Sequence, residues 1–301
     1  MSQESGIRSR NDRLYFRPPA LSPGPTLVMT AKSNKELAFL HDLYIATDWG
    51  ERFAQLVDEH VELPKEGTAL YIESGTGSHA LALHERAGTR LTMVCSDQNE
   101  ECLELARAKA AALHEPAEFR RENVAALSFT DEEFDLVLAD NSLTARANLP
   151  GNLSEAVRVA KPGATVAWWL PTASSFGEFF SIYWEALLNA GVSDHGADVE
   201  HLISDLPTVS DAERWSMDAG LADVRSFTAI EEFDYTSASE FLNSPLITDF
   251  LLPNWLDSIH EDEQQSVKDE LARIIDEERH AGAFVLTLKA TLVVGKKARV
   301  Q

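Results

Sequence analysis

The stretch ALYIESGTGSHALALHERAG, Ala69 to Gly88, decides the fold. An apolar run from Ala69 to Ile72 breaks into small residues and then resumes with helical spacing. That order reads as a β-strand, a tight loop and a helix, and glycine is what such a loop needs where its backbone must approach a ligand. Which ligand depends on what surrounds it.

Upstream, a helical pattern begins at Asn34, with Leu37, Leu40, His41 and Tyr44 on one face and Phe53, Leu56 and Val57 on the next segment. The first strand runs from Thr68 to Ile72 and its helix from Ser78 to Arg86. RLTMVCSD is a second strand, followed by the helix EECLELARAKAAAL, where Cys102, Leu105, Ala106 and Leu113 recur at helical spacing. A third short strand ends near Arg121, EFDLVLAD is a fourth, SEAVRVAKPG is a helix closed by Pro162 and Gly163, and ATVAWWLP is a fifth strand.

Strands alternating with helices at this interval predict βαβ units and a parallel sheet with helices on both faces. In such sheets the ligand lies outside the carboxyl ends of the strands, here residues 73–79, 97–98, 123–124 and 140–142. The last third differs: a helix, a Gly-containing turn and a strand, then helices over roughly 237–280, then the β-rich run AFVLTLKATLVVGKK. Val267, Leu271, Ile274 and Ile275 form one apolar stripe, read as core packing.

The net charge of −23, from 49 acidic and 26 basic residues, repels phosphate backbones and anionic lipid, so neither nucleic acid nor a membrane is an expected partner. No apolar run approaches the roughly 18 residues of a membrane span, and MSQESGIRSRNDR lacks the hydrophobic core of a signal peptide, so the expected location is the cytoplasm. Cys95 and Cys102 have no partnering histidine pattern and read as packed thiols, and no metal site is expected. Residues 1–33, polar and broken by prolines, read as a flexible tail, and 34–301 as a single domain.

Gly75-x-Gly77-x-x-Ala80 satisfies the dinucleotide fingerprint, and Asp97 follows Gly77 by 20 residues at a strand end, where a carboxylate takes ribose hydroxyls. On spacing alone a nicotinamide oxidoreductase stays open. ALYIESGTGSHALAL also resembles the first motif of the class I S-adenosylmethionine-dependent methyltransferases, and the resemblance spans approximately residues 36–297, closest to the small-molecule, "type 11"-like branch. MVCSDQNEECLELARAKA is similar to that family's second strand and helix, and ENVAALSFTDEEFDLVLAD to its third motif and fourth strand. EAVRVAKPGATVAWW, DAGLADV and LTLKATLVVGKK resemble its fifth strand region, the turn before the sixth strand, and an antiparallel seventh strand.

The resemblance implies a Rossmann-like, doubly wound seven-stranded sheet, mostly parallel with an antiparallel last strand, and a small helical cap formed from about 172–215 and 237–280. It implies S-adenosylmethionine as cofactor, held by Glu73, Ser74, Gly75, Gly77, Asp97, Gln98, Asn123, Val124 and Asp140. Asp97 falls where an acid holds both ribose hydroxyls, and Asn123 where an acid usually meets the adenine amino group. The first motif is degenerate: Tyr71 stands at the strand-end acidic position and Glu73 at the first glycine. Either the Glu73 carboxylate approaches the cofactor's ammonium itself, or the cofactor is weakened and the fold serves as a non-catalytic binding or scaffold protein.

Asp140 is the candidate acid or base for methyl transfer to a small-molecule acceptor, while His79 reads as a helix-start residue. The segment ADNSLTARAN lacks the Asn-Pro-Pro-Tyr signature of amino methylation on nucleic acid bases or glutamine. The aromatic run SSFGEFFSIYWEALLNAG reads first as core, with an apolar acceptor pocket as the alternative and LITDFLLPNWL as its opposite wall.

Overall fold

Ser33 starts the described chain's first helix by a reciprocal cap: its hydroxyl accepts the Glu36 N–H while the Glu36 carboxylate accepts the Ser33 N–H. The structure, a computed structural model, describes residues 32–114, 117–278 and 282–299. The tail expected over residues 1–33 lies outside these apart from Lys32 and Ser33. Helix α1 (Asn34–Leu40) runs directly into a π-helical segment, His41–Trp49, and then into α2 (Gly50–His60). The i→i+5 bonds of a π segment insert an extra residue per turn. The inner face therefore passes through Ile45 and Trp49, and Tyr44, placed inside by a 3.6-residue period, is 49% exposed.

β1 (Gly67–Ile72), α3 (Ser78–Ala87), β2 (Leu91–Asp97), α4 (Glu100–Leu113), β3 (Glu118–Arg121), β4 (Phe134–Asp140), α5 (Leu149–Val159) and β5 (Ala160–Pro171) alternate as expected. α6 (Gly177–Ala190), α7 (Gly196–Asp205) and α8 (Val209–Asp218) precede β6 (Leu221–Tyr235). After it come α9 (Ala238–Asn243), a second π-helical segment (Leu246–Leu251), α10 (Leu252–Trp255), α11 (Glu261–Glu278) and β7 (Phe284–Lys297). The sheet order is β3-β2-β1-β4-β5-β7-β6. β1 to β5 pair in parallel, and β7 is antiparallel to both β5 and β6. This is the Rossmann-like seven-stranded sheet with its antiparallel last strand. No described helix is long and apolar enough to cross a membrane.

The period of two splits the core. Leu70 and Ile72 join Val137, Val166 and the α5 residues Leu153 and Val157 on one face; Ala69 and Tyr71 join α2, α4, α6 and the helices after β6 on the other. Pro162 and Gly163 do not close α5, which ends at Val159; they belong to β5. β4 and β5 shift register there, from Phe134↔Ala160 to Leu136↔Thr165, so Lys161 to Ala164 bulge out, with Gly163 at φ +84°. The α11 stripe of Val267, Leu271, Ile274 and Ile275 is core, and both cysteines are free, buried thiols pushed up to about 12 by burial.

The aromatic run of α6 is core as well, apart from Trp184, which is 40% exposed. Phe179 stacks on Trp255 at 4.2 Å, and Tyr183 Oη donates to the Trp255 carbonyl at 3.0 Å. These side chains turn to the helices after β6 and leave the carboxyl ends of the strands to other residues, which corrects the alternative of an acceptor pocket walled by α6.

Candidate active site

β1 carries the chain to Ile72 with its side chains buried, and the loop that follows turns back through left-handed conformations at Glu73 (φ 55°), Gly75 (φ 55°) and Gly77 (φ 76°). Glycine adopts these freely. At Glu73 the same conformation costs about 1–3 kcal/mol, which the neighbouring contacts must hold in place. The Ser74 N–H donates to the Ser96 carbonyl at 2.9 Å, and the Gly75 N–H to Asp97 Oδ2 at 2.8 Å, so the end of β2 anchors the loop.

Each glycine also makes room for a neighbour. A Cβ on Gly75 would lie 2.4 Å from Cε1 of His41, and one on Gly77 would lie 2.9 Å from Cβ of Ala106. Gly77 thus lets α4 pack against the loop, while Gly75 admits the imidazole of the π segment. A second clamp holds that segment down: Lys109 Nζ, from α4, donates to the Asp42 carboxylate, to Thr76 Oγ1 at 3.2 Å and to Ser78 Oγ at 2.7 Å. Burial works against ionisation of Asp42, but the hydrogen bonds from Lys109 and Thr76 outweigh it and hold the carboxyl below its usual range.

Between loop, strand ends and π segment lies a cavity of about 450 Å³, of the size that takes a small ligand. Glu73, Ser74, Gly75, Gly77, Asp97 and Asp140 all line it, as do His41, Trp49, Asp58, Tyr71, His79, Ser142 and Phe250. Gln98 reaches it indirectly, its amide donating to Glu73 Oε1 at 3.3 Å. Asn123 and Val124 stand apart from its wall. Asn123 Oδ1 accepts the Ala125 N–H at 3.0 Å in a local turn, and the Val124 side chain is buried in the core of the opposite face.

The wall is acidic. Burial, with the Asp97 charge adding to it, pushes the Glu73 carboxyl up to about 8. Burial also raises Asp97 and Asp140, even though Asp97 accepts the N–H groups of Gly75 and Asn99, and Asp140 Oδ1 that of Ser142, at 2.8 Å each. The Trp49 indole N–H donates to Ser142 Oγ at 3.0 Å, tying the π segment to the end of β4. The described residues lining the cavity include Glu51, Asp58, Glu73, Asp97 and Asp140 and no lysine or arginine.

The sequence reading missed His41, Trp49 and Asp58, all from helices before β1. His41 was read as part of an apolar helix face, and only the apposition to Gly75 shows its place. His79 is at the start of α3 as read, but it also touches the cavity: Tyr71 Oη lies 3.0 Å from its Nδ1, and Asp58 Oδ1 lies 3.2 Å from its Nε2.

Residues 69–163 match the methyltransferase domain family. A demethylmenaquinone methyltransferase of Deinococcus radiodurans is 30% identical over 149 residues, 48% of this chain and 61% of that protein. The chain spans 53–61% of the length of the curated relatives it matches. Among solved structures, the YcgJ protein of Bacillus subtilis superposes with a TM-score of 0.54 at 17% identity over 83% of this chain and all of that one. Phosphoethanolamine N-methyltransferase 2 of Haemonchus contortus, solved with S-adenosyl-L-methionine, superposes with a TM-score of 0.52 at 12% identity over 89% of this chain and 61% of that one. Residues 69–163 thus carry a methyltransferase domain, and the strand order, the antiparallel seventh strand and the glycine loop at the end of β1 are the fold it shares with these structures.

Proposed function

We propose that the protein binds S-adenosylmethionine in this cavity and transfers its methyl group to a small uncharged or cationic acceptor. The observation that carries the reading is the set of three carboxylates, buried Asp97 and half-buried Glu73 and Asp140, converging at the ends of β1, β2 and β4 with no lysine or arginine beside them in the wall. Burying such a group without a partner is costly. A ligand that brings a positive charge and hydroxyl donors relieves that cost, and S-adenosylmethionine brings a sulfonium, an ammonium and two ribose hydroxyls.

Two further atoms fit it. His41 Nδ1 and Ser74 Oγ are buried at the cavity with no hydrogen-bond partner among the described residues. A buried polar group in a native site ordinarily has one, and a polar ligand would supply it. Asp97 is the residue for the ribose hydroxyls, Glu73 for the ammonium, and Gln98 holds Glu73 in place.

The group supplies a methyl already activated by the sulfonium. The protein's part is to hold the acceptor in line and exclude water, and such positioning alone is worth many orders of magnitude in rate. The walls favour an uncharged or cationic acceptor, because an anion would meet five carboxylates. Trp49, Leu143 and Phe250 offer it apolar surface.

Calorimetry with S-adenosylmethionine, S-adenosylhomocysteine and NAD tests the reading. Micromolar affinity for the first two, and none for NAD, is the expected result. A folded protein that binds neither S-adenosyl ligand would leave a non-catalytic scaffold, and binding of NAD alone would reopen the oxidoreductase.

A further inference from the structure

The geometry points to Tyr71, His79 and Asp58 as a proton relay that takes the acceptor's proton, and so to an acceptor with an uncharged aromatic hydroxyl as its nucleophile; this rests on the methyl-transfer reading above. None of the three belongs to the set that holds the cofactor. They come from three elements, β1, α3 and α2, and meet at the cavity wall.

The direction of the relay follows from which atoms can donate. Asp58 is held ionised, below its usual carboxylate range, by its hydrogen bond from His79 and by Arg86, whose Nη1 lies 2.8 Å from Asp58 Oδ1. A carboxylate only accepts, so in the neutral ring the proton sits on Nε2 and is donated to Asp58. Nδ1 is then left as an acceptor, and the partner 3.0 Å away is the Tyr71 hydroxyl, which must donate to it. The Tyr71 oxygen keeps its lone pairs free for a donor in the cavity.

The proton path is therefore complete inside the protein. The acceptor O–H gives its proton to Tyr71 Oη as Tyr71 gives its own to His79 Nδ1. Tyrosine stays neutral throughout, and the imidazolium that forms is stabilised by Asp58. The O–H bond of the acceptor breaks as an oxygen electron pair forms the new O–CH3 bond; the methyl–sulfur bond of bound S-adenosylmethionine would break in the same step, its pair returning to sulfur to leave S-adenosylhomocysteine, and the proton leaves to solvent from the partly exposed imidazole. Burial disfavours a tyrosinate here, as does the Asp140 charge, so Tyr71 can pass a proton on but is a poor base by itself.

The charged groups facing the imidazole are Asp58 from α2, Arg86 from α3 bound to it, and Asp140 from β4. Tyr71 is further fixed by Trp169, whose ring meets it edge-on at 5.6 Å. A hydroxyl acceptor fits because it has a proton to lose and no charge to clash with the wall. Tyr71 touches the acceptor and is catalytic; His79 and Asp58 act through it.

The test uses the full chain. Nitrogen-15 spectra of histidine-labelled protein report the His79 tautomer directly. The expected result is a neutral Nε2–H ring whose Nδ1 resonance moves in Tyr71→Phe, and whose tautomer preference is lost in Asp58→Asn and restored in Asp58→Glu. A dominant Nδ1–H tautomer, or an Nδ1 resonance indifferent to Tyr71→Phe, overturns the relay. Calorimetry with S-adenosylhomocysteine separates the two levels: a wild type that binds it but shows the wrong tautomer loses the relay alone, and one that does not bind loses the methyl-transfer reading and the relay together. Transfer of labelled methyl to small phenols, 4-nitrocatechol among them, should fall about 10²–10⁴-fold in kcat in Tyr71→Phe and His79→Gln with KM little changed. Variants as fast as wild type overturn the relay, and a wild type that binds S-adenosylhomocysteine yet methylates no phenol overturns the acceptor assignment.

Discussion

Two buried regions of this molecule are built on opposite terms. The cluster between α6 and the helices after β6 buries Phe179, Phe180, Tyr183, Phe241 and Trp255 against one another, and each such side chain adds stability by leaving water. The wall at the ends of β1, β2 and β4 draws Glu73, Asp97 and Asp140 out of water, Asp97 fully and the other two in part, and burial raises the pKa of each because ionising it there is costly. The first region is finished by the chain itself. The second is the proposed site because it is unfinished, and a bound ligand would complete it.

Substitutions should separate the two. Phe179→Ala, in the finished region, is expected to lower stability by about 3–5 kcal/mol in urea unfolding while leaving S-adenosylhomocysteine affinity nearly unchanged; a large loss of affinity would join the regions. Asp97→Ala should do the reverse, abolishing measurable nucleoside binding, a loss of about 100-fold or more, roughly 2.7 kcal/mol, by calorimetry. Its stability change should stay smaller than that of Phe179→Ala, since the Gly75 and Asn99 N–H groups lose an acceptor but a buried charge is removed.

Gly75→Ala should cost about 1–3 kcal/mol, from its left-handed backbone and from the imidazole in the way. Adding His41→Ala should relieve the steric part alone, a coupling that a double-mutant cycle in thermal unfolding will measure. A further effect concerns pH. Glu73 is pushed up to about 8 in the fold from 4.5, so the folded state holds its proton more tightly than the unfolded one. Wild-type stability should therefore fall as pH rises between about 4.5 and 8, by on the order of 1 kcal/mol or more, and Glu73→Gln should remove that slope. A cation beside Glu73 favours its ionised form, so S-adenosylmethionine should release a proton on binding below about pH 8, read as a dependence of the binding enthalpy on buffer.

What was legible in advance followed from short-range periodicity. Alternating strands and helices, the glycine loop and the strand-end Asp97 each depend on a few neighbouring residues, and each stands where the reading placed it. Tyr44 was misplaced because the reading assumed 3.6 residues per turn, and a π segment carries no local signature that breaks that count. Pro162 and Gly163 read as a helix end because that is their commonest use; here the register between β4 and β5 makes them a bulge. Asn123 comes from a family position; here it does not line the cavity, and its side-chain oxygen accepts the Ala125 N–H.

The order of apolar and small residues along Ala69 to Gly88, and the strands that follow, was enough to determine a Rossmann-like sheet and the end of it where the cavity lies. Those features are set by backbone geometry and periods of 2 and 3.6 residues, which a linear sequence displays. Which side chains share that cavity was decided only in three dimensions. His41 over Gly75 is a contact across 34 residues, and Asp58 against His79 one across 21, and both depend on how the helices before β1 fold back over the sheet. No local pattern encodes such a meeting, because it is made by the packing of whole elements.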